Sequence, residues 1–310
     1  MTKILFPDCT LETPTIEGAE VVRVDPKAPI PPEHRDAEVL VVWEMSARTT
    51  RQVADQLPNL GFVQLLLAGV DQVPAMGLPE GVRVAGGSGL HDGPVAEHAL
   101  ALILAGARGL DTLVHAKIGH RWAREWGAVG QNAGDRLITL RGANILIWGY
   151  GNIGRELAGY LKPLGANVTG VATTRRTEED VEVYTNSDLP SLLPTTDVLV
   201  MILPAGKATE GALNKELLDL LPARAWVVNV GRGATVDEEA LADALINEDI
   251  AGAAIDVTRV EPLPVDSPLW DVPNLIITPH NAGGRPQGYE QFLACNLSAW
   301  LRGEPLQNEV

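Results

Sequence analysis

Three polar residues stand just beyond apolar runs in the C-terminal half of the sequence. Residues 225–230 (AWVVNV) lead into Gly-Arg232-Gly, AGAAIDV from Ala251 leads through Thr-Arg-Val to Glu261, and NLIITP ends at His280. If each run is a strand of a parallel sheet, the three side chains emerge at its carboxyl edge, where open α/β sheets bind their ligands. Arg232 offers a planar fork of donors that grips a carboxylate and a neighbouring carbonyl oxygen and stays charged throughout. His280 can give a proton to a carbonyl oxygen, or take one back. Glu261 can accept the other ring N–H, which fixes the tautomer and raises the histidine's pKa so that its protonated form persists near neutrality. Singly, these residues read as a surface ion pair, a solvated loop charge and a strand-end histidine. Together they are equipment for reducing a 2-keto acid.

Such chemistry needs a hydride donor, and residues 144–176 offer a place for one. Ile145, Leu146, Ile147 and Trp148 run into Gly149-x-Gly151-x-x-Gly154, after which Ile153, Leu157, Leu161 and Leu164 mark a helical face closed by Gly165. A second apolar run follows at 168–171. Strand, turn, helix and strand in this order turn a bare glycine pattern into a dinucleotide-binding fingerprint. Gly149 permits the tight turn, Gly151 admits a pyrophosphate close to the backbone, and Gly154 lets the helix pack on the sheet. The anion would rest on the helix N-terminus.

Around these stretches the chain reads as two α/β layers. Apolar runs KILFPD, VVRVD, VLVVWE, FVQLLLAG and VRVAGG predict about five mostly parallel strands in the first ninety residues, with a helix over 47–57. Gly86, Gly87 and Gly89 mark a flexible joint and hinge strand, and 94–117 is apolar nearly all round, as expected of one long buried helix. The stretch 119–136, with two Trp residues, reads as a surface excursion able to reach a partner subunit. Runs at 198, 225, 251 and 274, with helices over 214–221 and 237–248, predict a parallel, doubly wound sheet, and 285–302 predicts a last helix.

Composition bounds the function. The 310 residues suffice for two cores, and 45% hydrophobic with 21% charged residues is ordinary for a globular protein. A net charge of −16 argues against a nucleic acid or an anionic membrane as partner, though a local arginine still serves a small anion. No apolar run approaches the roughly 20 residues that span a bilayer, and the N-terminal residues lack a signal-peptide pattern, so a cytoplasmic location is expected. Cys9 and Cys295 have neither metal-ligand nor redox spacing and read as buried free thiols; no metal site is expected.

The motifs GRG, EPLP and TPH at these spacings, within 227–283, resemble the D-isomer-specific 2-hydroxyacid dehydrogenases almost position by position. The resemblance extends to QLPNLGFVQLLLAGVDQV, VAEHALALILAGAR and GYGNIGRELAGYLKPLGANV, and so covers most of the chain. The short chain and the WEMS segment look most like the glyoxylate/hydroxypyruvate reductase branch. This resemblance implies a Rossmann-type cofactor domain over 91–283 and a smaller flavodoxin-like substrate domain over 1–90 and 284–310, with the last helix crossing back to the first domain. It implies Arg232 as substrate-orienting residue, Glu261 as the histidine's partner and His280 as acid/base. Backbone amides of Ala68, Gly69 and Val70 would hold the substrate carboxylate. Cofactor contacts fall on Gly149, Gly151, Asn152, Ile153, Gly154, Leu203, Pro204, Val230 and Asp256, the last holding the nicotinamide carboxamide. A homodimer through 94–117 is implied as well.

One departure bears on the cofactor. Members using NAD often place a carboxylate at the end of the second strand, where it accepts from the ribose hydroxyl. That position is Ala172 here, followed by Thr173, Thr174, Arg175 and Arg176, which suit a 2′-phosphate. NADP is therefore expected over NAD. For the substrate, Glu44 and Met45 are expected to face the cleft and to disfavour a dianion, with Arg48 and Arg51 the nearby cations. Trp43, Met45, Trp126 and Tyr289 could line an apolar wall. The alternative from another class is a nicotinamide-nucleotide-sensing binding protein that regulates a partner.

Overall fold

The computed structural model describes residues 1–124 and 137–310, which form two compact units, Met1–His91 with Gly284–Val310 and Asp92–Gly283. The first unit is built on strands β1 (Thr2–Pro7), β2 (Ala19–Val24), β3 (Val39–Val42), β4 (Phe62–Leu65) and β5 (Arg83–Ala85), with helices α1 (Ala47–Ala54) and α2 (Val73–Met76). The sheet order is β2-β1-β3-β4-β5, parallel throughout, which is the flavodoxin-like order. Both faces of such a sheet are covered, so β3 and β4 are buried at every position rather than at alternate ones. Helix α1 starts where Ser46 Oγ accepts the Thr49 N–H at 3.1 Å.

The second unit begins with α3 (Asp92–Arg108) and α4 (Leu110–Ile118), then runs β6 (Asn144–Trp148), α5 (Asn152–Leu161), β7 (Asn167–Val171), β8 (Arg176–Glu178), β9 (Val181–Tyr184), α6 (Leu189–Leu192), β10 (Val198–Met201), α7 (Lys215–Leu218), β11 (Trp226–Asn229), α8 (Glu238–Ile246), β12 (Gly252–Ile255) and β13 (Leu275–Ile277). Sheet order is β13-β12-β11-β10-β6-β7-β9-β8, parallel except for β8. The order reverses at β6, so the glycine turn after β6 lies at the topological switch point. Trp226 of β11 fills the space above Gly106 of α3 and Gly252 of β12, where any Cβ would come within 2.5 Å of the indole. Helix α3 thus tolerates a residue of low helix propensity in exchange for close packing. The chain then returns to the first unit with α9 (Tyr289–Leu301), whose Leu293 and Leu297 join the core of Ile4, Phe6 and Phe62.

Several sequence expectations need correction. The helix expected over 94–117 is two helices, because Gly109 at φ +56 ends α3 and α4 leaves at a bend of 65°. No single helix among the described residues is long and apolar enough to cross a membrane. The helix expected over 214–221 shrinks to α7, and the one over 285–302 starts only after Gly288 at φ +68. Gly86 and Gly87 are buried rather than loose: their amides bond Asn308 O and Leu67 O at 2.8 Å, and a Cβ would strike Val70 or Leu66. Close approach requires glycine at these two, whereas Gly89, exposed at φ +96 with nothing within 4 Å of a Cβ, uses glycine's freedom. Met45 is 6% exposed and packs into the core around Leu40, Leu57 and Leu65, so it faces inward. Tyr289 is spent on packing too, its hydroxyl donating to Glu12 O at 2.7 Å. Cys9 and Cys295 are free but only half-buried.

Candidate active site

The glycine turn is shaped for an anion. Gly149 sits at φ +101, and a Cβ on it would lie 2.5 Å from the Ile202 carbonyl oxygen, so no other residue fits. Gly151 is the N-cap of α5 and supplies no capping side chain, whereas Asp237 caps α8 by accepting the Ala240 N–H at 3.1 Å. A Cβ at Gly151 would meet nothing within 4 Å. The first-turn amides of α5, at Asn152, Ile153 and Gly154, therefore open onto space that a pyrophosphate could occupy. Gly154 does the packing, with Ile147 and Tyr150 at 3.2 and 3.3 Å from where its Cβ would be.

At the end of β7, Ala172 donates its N–H to Tyr184 O at 2.9 Å, and Thr173 and Thr174 are exposed. Arg175 lies 4.8 Å over the Tyr184 ring and donates to Asp188 at 2.9 Å. Arg176 is not a loop residue but the first of β8, paired with Glu178 at 2.8 Å and donating to Tyr150 O at 3.0 Å. Glu178 also accepts from Arg155 at 3.1 Å, and the two guanidinium groups hold its carboxyl below the usual range, Arg176 most. Both carboxylates beside this edge, Glu178 and Asp188, are thus already engaged by cations. Further along, Leu203 and Val230 are buried at the ends of β10 and β11, with Pro204 exposed beside them.

The polar triad comes from three adjacent strand ends. After β11, Asn229 is 1% exposed and clamps the turn that bears Arg232, its Oδ1 accepting from Gly231 N at 3.0 Å and its Nδ2 donating to Arg232 O at 3.1 Å. Buried Thr235 adds a hydroxyl to the same carbonyl at 2.6 Å. After β12, the Thr258 N–H donates to Glu261 Oε1 at 3.0 Å and leaves Oε2 for the histidine. His280 Nδ1 donates to it at 2.6 Å. His280 itself sits at φ +51, a region L-residues adopt with strain. Asp256, to which the resemblance gives the nicotinamide carboxamide, is 1% exposed and accepts from Thr278 Oγ1 at 2.6 Å, Asn281 N at 3.1 Å and Ala282 N at 2.9 Å.

In the first unit, Ala68 is exposed and Gly69 and Val70 are half-buried beyond β4, and Glu44 is exposed at φ +54 just beyond β3. Trp43 stacks on His91 with ring centroids 5.6 Å apart, and Arg48 and Arg51 are exposed on α1. Trp126 and the rest of 125–136 lie outside the described residues.

Residues 100–282 match the family model for the D-isomer specific 2-hydroxyacid dehydrogenase, NAD binding domain. The chain belongs to this family. An uncharacterised protein of Corynebacterium melassecola is 36% identical over 257 residues, 81% of this chain and 82% of its own length. Glyoxylate/hydroxypyruvate reductase B of Pectobacterium atrosepticum is 35% identical over 222 residues, 70% of this chain and 68% of its own length. Among solved structures, the D-isomer specific 2-hydroxyacid dehydrogenase of Xanthobacter autotrophicus, in complex with NADPH and MES, superposes with a TM-score of 0.80 at 29% identity, covering 100% of this chain and 97% of the other.

The candidate site of this dehydrogenase also contains residues that sequence reasoning passed over. Asn229 and Thr235 brace the turn that bears Arg232, Thr258 braces Glu261, and Thr278 and His98 surround Asp256. Thr278 stands two residues before His280, and Asn229 three before Arg232; the only sequence signal was a polar residue closing an otherwise apolar strand.

Proposed function

We propose that this dehydrogenase reduces a small 2-keto acid to the D-2-hydroxy acid, with NADPH as preferred reductant. The observation that supports this most is the 2.6 Å pairing of His280 with Glu261 on the sheet whose β6–α5 turn suits a pyrophosphate. Binding alone has no use for an acid/base pair held by its own carboxylate, which weighs against a nucleotide sensor.

Bound NADPH supplies the hydride. Arg232 grips the substrate carboxylate through its fork and turns the ketone toward His280. With Nδ1 committed to Glu261, His280 presents Nε2, and the proton leaves that nitrogen for the ketone oxygen. Glu261 steadies the imidazolium before transfer and fixes the neutral tautomer after it. In this reading the Ala68, Gly69 and Val70 amides assist with the carboxylate. Asn152, Ile153, Leu203, Pro204 and Val230 line the cofactor, and Asp256 serves the carboxamide with whatever lone-pair capacity its internal bonds leave.

A preference for NADPH is supported by Ala172 standing where a carboxylate would accept from the ribose, by exposed Thr173, Thr174 and Arg175, and by the NADPH bound in the Xanthobacter relative. A small substrate such as glyoxylate or hydroxypyruvate is supported by the Pectobacterium relative's name, and the exposed Glu44 disfavours a dianion. A homodimer is supported by the apolar face of α4, where Leu110, Val114 and Ile118 are 48%, 53% and 69% exposed. A cytoplasmic location belongs to the same reading.

The test is steady-state kinetics on 2-keto acids from glyoxylate to bulky aromatic ones, with NADPH and NADH, for the wild type and His280→Ala. The small acids should be turned over best, with NADPH favoured about tenfold, the worth of one charge-assisted hydrogen bond. His280→Ala should lower kcat by about 10²- to 10⁴-fold with cofactor affinity nearly intact. Absence of turnover on every 2-keto acid, or full activity in the variant, would sink the reading.

A further inference from the structure

The segment 278–282 holds His280 in its left-handed conformation by winding around a single buried carboxylate. The His280 N–H donates to the Asp256 backbone carbonyl at 2.7 Å, while Thr278 Oγ1 and the Asn281 and Ala282 amides bond the Asp256 side chain from both sides. A buried carboxylate of this kind is costly unless its lone pairs are met, so these bonds and the backbone conformation of His280 stand or fall together.

A further group reaches this knot from a different element. His98, in the second turn of α3, places Nε2 3.0 Å from Thr278 Oγ1 and 3.4 Å from Asp256 Oδ1. The tautomer follows from donor arithmetic. Thr278 has one hydroxyl proton, and at 2.6 Å it goes to the acceptor-only carboxylate. Thr278 Oγ1 can then only accept from His98, so Nε2 carries the hydrogen. The relay runs His98 Nε2–H to Thr278 O–H to Asp256, and ends on the segment that carries His280.

We propose that His98 is a positioning residue for His280, acting through Thr278 and Asp256. This rests on the reductase reading for its kinetic consequence but not for its structural one. Without the His98 donor, Thr278 is free to rotate off the carboxylate, and the strained conformation of His280 loses one of the contacts that impose it. The imidazole would then spend less time aligned with the ketone oxygen, which lowers kcat rather than substrate affinity.

The experiment compares wild type, His98→Ala, Thr278→Val, the double variant and His98→Gln, which restores an N–H donor. It measures kcat, KM, the NADPH dissociation constant by fluorescence, and amide hydrogen exchange over 278–282. The expected result is a kcat about ten- to a hundredfold lower in either single variant, with KM and NADPH affinity within about twofold. The double variant should be no worse than the singles, since both cut one relay, and His98→Gln should recover most of the loss. Exchange over 278–282 should quicken in His98→Ala. Unchanged exchange and kcat in His98→Ala, multiplying losses in the double variant, or a Gln variant as poor as Ala would each overturn the proposal. Quickened exchange in a protein that turns over no 2-keto acid would overturn the reductase reading while upholding the positioning role.

Discussion

In the first unit the buried amides Gln64 and Asn296 bond each other at 2.8 Å, and their remaining groups meet backbone atoms of Leu65, Ala85 and Gln307. In the second unit the buried group is a carboxylate, and its partners are a hydroxyl, two amides and an imidazole. Both networks are nearly sealed from water, since Gln64, Asn296 and Asp256 are each at most 1% exposed. They differ in what they hold. The neutral network ties α9 and the last residues to β4, and the left-handed residue next to it, Asn308 at φ +56, is an exposed loop position. The charged network holds a segment containing a left-handed, half-exposed histidine. A carboxylate gathers several strong donors around one point, so it suits a place where the chain must be kept in a conformation it would otherwise leave.

Removing each network's centre should therefore have distinct consequences. Asp256→Ala should have the largest effect. It strands the Thr278 hydroxyl and two amides in a buried site, at about 1–3 kcal/mol per group, so urea unfolding should show a loss of ~3 kcal/mol or more. Turnover by the molecules that remain folded should also collapse. Asn296→Ala strands the Gln307 N–H and the Gln64 carbonyl and should cost about 1–3 kcal/mol by the same assay. Its kcat per folded molecule should match the wild type, and a loss comparable to that of Asp256→Ala would erase the distinction.

The smallest effect concerns the exposed pair beside the neutral network. Arg83 donates to Glu309 at 2.7 and 2.8 Å and holds that carboxyl down to about 2. A carboxyl depressed in the folded state contributes stability that is fully present above its unfolded value, about 4.3, and is lost as the pH falls toward 2. Acid unfolding should therefore show an extra decline in the wild type across that window and a flatter curve in Arg83→Gln. The difference should be slight, because the pair faces solvent. A change as large as that of Asn296→Ala would mean the terminal segment is held mainly by charge.

Much of the fold was legible because parallel strands buried on both faces appear as unbroken apolar runs, as at β3, β10 and β12. The β8–β9 hairpin was not legible. Its turn is made by Glu179 and Asp180, at φ +47 and +64, without the glycine or asparagine that signals such a turn, and β8 (RTE) has no apolar residue. Met45 was misplaced for a related reason: one residue beyond a strand, inward and outward are set by a backbone turn, here Glu44 at φ +54, that periodicity does not reveal.

The amino-acid sequence by itself determined which residues reach the strand ends, because an apolar run and its polar terminus are adjacent in the chain. Arg232, Glu261 and His280, the three glycines after β6 and the missing carboxylate at Ala172 are all of this kind. Only the tertiary structure decided that Asp256 turns inward, that Asn229 braces the turn bearing Arg232, and that α3 reaches Thr278, beside His280, through His98. His98 and Thr278 are 180 residues apart, and Gln64 and Asn296 are 232 apart. Contacts over such separations depend on how helices and sheet pack, and neither spacing nor local periodicity carries that information.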